Sequence, residues 1–223
     1  MTHFEQELAS LKEKLLTMAS HAEAAVKNSV LALTNRDYEL AEQVRANDGV
    51  IDRFEIEVDD LAIHLLSKAP LASDLRLIVV ASKISQNLER VGDEASKIAN
   101  RARELSQEAP VQFPPELQRI STLALQMLKD ALDCFVNSDP TAARALIVRD
   151  REVDALNKKI YRDLAQQMIS SPELVTRCLN LMVAAKSLER IADHAKNVAE
   201  EVVYLCEAED IRHPASAASE AKL

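Results

Sequence analysis

Between Leu77 and Leu105 the apolar residues Leu77, Ala81, Ile84, Leu88, Val91, Ala95, Ile98, Ala102 and Leu105 alternate steps of four and three without a break. That period lays them along one side of an α-helix, as the seam of a helical bundle. A second stretch repeats it with Leu181, Ala184, Leu188, Ile191, Ala195, Val198, Val202 and Leu205. Prolines at 70, 110, 114, 115, 140, 172 and 214 fall at the edges of the periodic segments. They delimit six predicted helices, near 3–33, 37–68, 73–107, 116–137, 141–170 and 173–207, with Asp37, Ser73 and Ser171 as N-caps. At 1.5 Å per residue the longest spans roughly 50 Å.

The six helices divide into two sets of three around a Pro-rich linker, 108–115. The pattern predicts two tandem, duplicated three-helix antiparallel bundles, over 1–107 and 116–207, followed by a flexible tail, 208–223. Composition sharpens the fold class to all-α: the chain has two glycines, no tryptophan and 3% aromatic residues. Its abundant Ala, Leu, Glu, Lys and Arg are helix formers.

The formal charge of −9 argues against a nucleic-acid footprint, which needs clustered cations. No stretch resembles a leader or approaches the ~18 apolar residues of a membrane span, so a cytoplasmic location is expected. Cys134, Cys178 and Cys206 lie far apart without metal-type spacing and read as small buried hydrophobes.

Polar positions carry a second repeat. LERVGDEASKIA, Leu88 to Ala99, returns as LERIADHAKNVA, Leu188 to Ala199, each with acids four apart: Glu89 with Asp93, and Glu189 with Asp193. The preceding helix of each half carries another such pair, Asp48 with Asp52 and Asp150 with Asp154. With Ile51 and Val153 at heptad a, the Asp pairs take positions e and b, and the Glu–Asp pairs take b and f. The pairs are centred near residues 70 and 171, at the predicted turns, so folding each hairpin brings four carboxylates level. The heptad positions predict that both clusters are exposed.

Like charges four apart on a helix cost a few tenths of a kcal/mol, and stacking two pairs adds to that. Oxygen-only ligands suit hard cations such as magnesium, manganese, calcium or ferric iron. The competing interpretation is a solvated acidic face, with Lys97 and Lys196 as partial compensation. Glu55 and Asp59 extend the stripe in the first half, but Asn157 and Tyr161 stand at the matching steps of the second, so both are read as solvated. His64 and His194 do not recur and are read as packing or surface residues. Gly49 and Gly92 sit inside predicted helices, where each costs ~1 kcal/mol relative to Ala; close helix approach or a ligand would explain them.

Catalysis lacks a basis in the motifs: there is no Glu-x-x-His pair, phosphate loop, nucleophile elbow or Cys–His arrangement. A free-standing metal-dependent hydrolase or metal-storage bundle is the alternative to a regulatory role.

The doubled E-R-[IV]-[GA]-D motif, the SDLRLI stretch at Ser73 to Ile78, the D-x-x-x-D companions and the DIRH of Asp210 to His213 together resemble the PhoU family over nearly the whole chain. SPELVTRCL, Ser171 to Leu179, departs from SDLRLI in the second half. The resemblance implies a non-enzymatic, homodimeric cytoplasmic regulator of phosphate uptake and signalling. As partners it implies the ATPase of a phosphate ABC transporter and a phosphate-sensing histidine kinase. It further implies a multivalent metal, iron, zinc, magnesium or manganese, on Asp48, Asp52, Glu89, Asp93, Asp150, Asp154, Glu189 and Asp193. Partners would meet these clusters, or helical faces that include Arg76 and Arg177.

Overall fold

A computed structural model describes residues 2–68 and 71–212. Its helices are α1 (His3–Asn35), α2 (Tyr38–Ala46), α3 (Asp48–Leu66), α4 (Ala72–Ser106), α5 (Pro115–Asn137), α6 (Pro140–Ser170) and α7 (Val175–Glu207), with a 3-10 turn at Pro172–Leu174 before the last. The predicted second helix is thus two segments, broken at Asn47, in the run Arg45-Ala-Asn-Asp-Gly. Arg149 and Arg151 replace Asn47 and Gly49 in the second half, so α6 runs whole.

Local chemistry sets the ends. Thr2 and Glu5 close a capping box on α1, the Thr2 hydroxyl accepting from the Glu5 amide at 3.2 Å while Glu5 accepts from the Thr2 amide at 2.7 Å. Asp37 caps α2 as predicted, accepting from the Leu40 amide at 3.0 Å. Asp139, with Pro140 behind it, caps α6 by accepting from both Thr141 and Ala142 at 3.0 Å. Ser73 and Ser171 make no cap bond: Leu71 precedes α4, and Ser171 opens the 3-10 turn without its side chain. α1 ends on Arg36 in the left-handed region, φ 57°.

Within the first half α1, α2/α3 and α4 pack on one another, and α5, α6 and α7 do so in the second; α4 against α7, and α1 against α5, join the halves. The predicted seams are the core, Ile84, Leu88 and Ile98 facing inward from α4 and Leu181, Leu188 and Val202 from α7, all fully buried. The linker is tied down. Arg36 donates to the carbonyls of Ser106, at 3.4 Å, and Glu108; Arg177 reaches the carbonyls of Ala109 and Pro110 at 3.3 and 3.5 Å and the Glu108 carboxylate at 3.5 Å. Val111 and Phe113 pack against the core. Of the tail, Ile211 packs inward and Arg212 pairs with Glu201 at 3.0 Å; residues from 213 onward, His213 included, lie outside the described residues.

α4 and α7 run antiparallel, and polar pairs stitch them along their length. Lys83 meets Glu201 at 3.1 Å, Asn87 bonds His194 at 3.0 Å and Asn197 at 3.2 Å, Arg190 donates to Glu94 at 3.1 Å, and Arg101 donates to Asn180 at 3.0 Å. The repeat equivalents Glu94 and His194 both lie on this seam, so the two halves are related by a pseudo-two-fold that the side chains break. Among the described residues no helix is long and apolar enough to cross a membrane.

Candidate cation sites on the paired helices

The α3–α4 hairpin brings Asp48, Asp52, Glu89 and Asp93 into one neighbourhood. Burial raises the Asp52 carboxyl above its usual value, and Asp48 and Asp93 raise it further. Glu89 is raised by burial and then by Asp93, with Arg90 opposing and Glu55 and Asp52 adding to the rise. Glu55 is raised too, by burial and then by Asp59, Asp52 and Asp93. It thus feels the charges of the acid pairs beside it. Asp59 is engaged elsewhere, accepting from the Ser82 hydroxyl at 2.5 Å. Asp48 accepts from the Ser96 hydroxyl at 2.7 Å. The exposed Arg90 lies 3.3 Å from Glu89 and 3.6 Å from Asp93.

The α6–α7 hairpin gathers Asp150, Asp154, Glu189 and Asp193 in the same way. Asp193 is pushed up to about 6, by burial first and then by Asp150 and Glu189, with Lys196 opposing. Lys196 donates to Asp150 Oδ2 at 2.8 Å, and Lys186 pairs with Glu189. The expected exposure is wrong here: Asp150 and Glu189 are only 9% and 8% exposed. Heptad letters describe one seam, whereas α7 is covered by α4, α5 and α6 together, leaving few outward positions. Asp150 Oδ1 and, one turn-pair onward, Asn157 Oδ1 are buried without a hydrogen-bond donor. Asn157 is the repeat equivalent of Glu55, so both halves extend the acid set by one oxygen-bearing residue. The period Asp48–Asp52–Glu55 could have shown this, since Glu55 stays on the same helix face.

Among the described residues no three His, Cys, Asp or Glu side chains converge as ligands of one ion. The donors nonetheless fit a hard cation chemically: every one is an oxygen, and the buried Asp150 Oδ1 lacks a partner.

Other candidates resolve differently. His64 sits on the surface, bonded to Glu7 at 3.1 Å, while burial on the α4–α7 seam lowers the pKa of His194, with Glu94 opposing. Cys134 and Cys178 are buried as expected, but Cys206, near the end of α7, is exposed. Gly92 is explained by close approach. A Cβ there would lie 2.8 Å from Ile51 Cδ1, whereas one on Gly49 would meet nothing within 4 Å. Arg177 is committed to the linker, with its side chain 13% exposed.

Two segments of the chain, 15–102 and 117–202, each match the PhoU domain, one on either side of the linker. The chain belongs to the PhoU family. A phosphate-specific transport system accessory protein PhoU homolog of Pseudomonas aeruginosa is 40% identical over 213 residues, covering 94% of this chain and 88% of the relative. The accessory protein PhoU of Escherichia coli is 32% identical with the same coverage of both chains. A crystal structure of PhoU from P. aeruginosa superposes with a TM-score of 0.89 at 39% identity, covering 93% of this chain and 100% of that one. The phosphate transport system regulatory protein PhoU from Streptococcus pneumoniae superposes at 0.88 with 25% identity, covering 95% and 100%. PhoU proteins are regulatory accessory proteins rather than enzymes, which sets aside the hydrolase alternative.

Proposed function

We propose that this PhoU-family chain is an accessory regulator of phosphate transport and a negative regulator of the phosphate-starvation response. In this reading it acts in the cytoplasm as a homodimeric adaptor between the ATPase of the phosphate ABC transporter and the phosphate-sensing histidine kinase. The observation that carries it is the tandem match, with 94% of the chain aligned to accessory proteins of phosphate-specific transport systems. The long α-helical faces offer extended surfaces, which suits an adaptor.

The same proposal assigns the acidic clusters a multivalent cation. Asp48, Asp52, Glu89 and Asp93 would hold it in one half, and Asp150, Asp154, Glu189 and Asp193 in the other. Bound, such an ion neutralises the mutual repulsion and offers a coordination position to a carboxylate or phosphate of a partner. The protein's own part is to hold paired carboxylates rigidly on two helices. Deleting the gene and assaying the kinase-controlled promoter in high phosphate tests the regulatory reading: expression should become constitutive and return with the wild-type copy. Promoter activity that stays repressed in the deletion strain rejects it.

A further inference from the structure

Large apolar side chains stand in solvent on the two outer hairpins, where the folded chain gives them no cover. In α3 the stripe Asp52, Ile56, Asp59, Ile63 and Leu66 advances by alternate steps of four and three, so it lies along one side of the helix. In α4 the stripe Leu75, Val79, Ser82, Gln86, Glu89 and Asp93 does the same. The Ser82 hydroxyl donates to Asp59 at 2.5 Å and the Ser96 hydroxyl to Asp48 at 2.7 Å, which fixes the antiparallel register and sets Ile63 and Leu66 beside Leu75 and Val79. Ile63 is 68% exposed, and Leu66, Leu75 and Val79 are each 41% exposed.

The feature repeats. Val175 and Leu179, the equivalents of Leu75 and Val79, are exposed on α7, the same number of residues before the second acid set. Exposed apolar residues gathered on one face, and recurring in both halves, mark a surface that another molecule covers. The polar ends of the two faces differ. Lys196 and Lys186 pair with Asp150 and Glu189, so the second hairpin meets its acids from within. On the first, Glu55 and Asp59 lie beside Asp52 and Asp93, and the cation that Glu55, Glu89 and Asp93 share is Arg90, whose side chain is 62% exposed.

The α3–α4 face therefore changes character along its length, apolar toward the hairpin turn and acidic away from it. From Asp52 to Leu66 it spans about 21 Å at 1.5 Å per residue, or roughly four helical turns. Resting on the adaptor reading above and not on the cation, we infer that this face is a docking groove for an amphipathic helix of a partner protein, with apolar residues at the end that meets Ile63, Leu66, Leu75 and Val79 and with Lys or Arg at the other. A helix laid there covers the exposed tip and sets its basic side chains against carboxylates that outnumber Arg90. A second copy of this face brings a second acid set with it, and an anionic membrane surface repels the carboxylates, so neither matches the polar end.

The test uses the deletion strain, with the kinase-controlled promoter read in high phosphate. A wild-type copy should restore repression, and a copy carrying Leu75→Ser with Val79→Ser should lose it, since removing two apolar anchors weakens docking about tenfold or more. Circular dichroism of the purified variant checks that it folds. Independently, p-benzoylphenylalanine in place of Val79 is photo-crosslinked in cells and the attached peptide is sequenced. That peptide should carry apolar residues at helical spacing followed by Lys or Arg, and the same probe in place of the exposed Val136 should not yield it. If the double variant fails to fold, the crosslink decides alone. Full repression by a folded double variant, or a crosslink that is absent or that falls on lipid, on an acidic segment or on a second copy of this chain, would overturn the groove and leave the adaptor reading standing. A deletion strain that stays repressed would overturn both.

Discussion

Asp193 concentrates the cost of assembling the second cluster in one carboxyl group. It is half-buried, faces Asp150 and Glu189, and is pushed up to about 6 from an ordinary value near 3.8. The folded state therefore holds its proton more tightly than the unfolded chain does. Above pH 6 the penalty for ionising it is fully present; as pH falls from 6 toward 4 the folded state gains the proton first and stability from this group rises. Asp193→Asn removes the penalty. In chelator-treated protein at pH 7.5 it should stabilise by about 1 kcal/mol, a figure discounted for the half-exposed environment. Urea titrations should show that gain shrinking as pH falls from 6 toward 4, with about half of it left at pH 5. A gain that is independent of pH would assign the effect to packing rather than charge.

At the scale of elements, α3 and α4 approach closely enough that Gly92 has no room for a methyl group beside Ile51. The second half solves the same crossing with the smaller-larger roles shifted, Val153 standing for Ile51 and Ala192 for Gly92. Gly92→Ala gains ~1 kcal/mol of helix propensity but forces Ile51 aside, for about 1–3 kcal/mol. Ile51→Val alone costs about 0.5–1.5 kcal/mol. Combined, they recreate the Ala–Val pair, so the double variant should be at least ~1 kcal/mol more stable than the sum of the singles. Strict additivity in a urea double-mutant cycle would contradict this contact.

The seams of α4 and α7 and the Pro-bounded ends are legible, because a heptad period and a recurring motif are global signals that survive local irregularity. What these signals do not carry is local or three-dimensional. Asn47 ends α2 in an Asn-Asp-Gly run whose turn chemistry was present, but the flanking helical period masked it. Asp139 before Pro140 carries a cap signature that the proline pattern alone does not assign. The burial of Glu189 could not be read from its own helix, because three neighbouring helices decide it.

For the whole molecule, the question is whether two homologous halves behave as one unit. The α4–α7 seam makes them one, since it combines buried apolar surface with polar pairs between the two halves. Glu201 is the anchor at one end: it is 5% exposed, lies 3.1 Å from Lys83 of the other half, and accepts from Arg212 of the folded-back tail at 3.0 Å. Lys83 also stands 5.4 Å above the Tyr204 ring, so the same ammonium is held by charge and by a π face. Glu201→Ala removes the acceptor common to both cations. Because Lys83 and Arg212 retain about a third of their exposure, they can rehydrate, and the cost should be about 1–2 kcal/mol rather than the larger penalty of a sealed pair. The loss should appear as a shifted but still single urea transition, with no separate melting of either half, and with faster proteolysis after residue 207 as Arg212 is released. A biphasic transition in the wild-type protein would mean instead that each three-helix bundle is stable alone and that the seam joins two independent folding units.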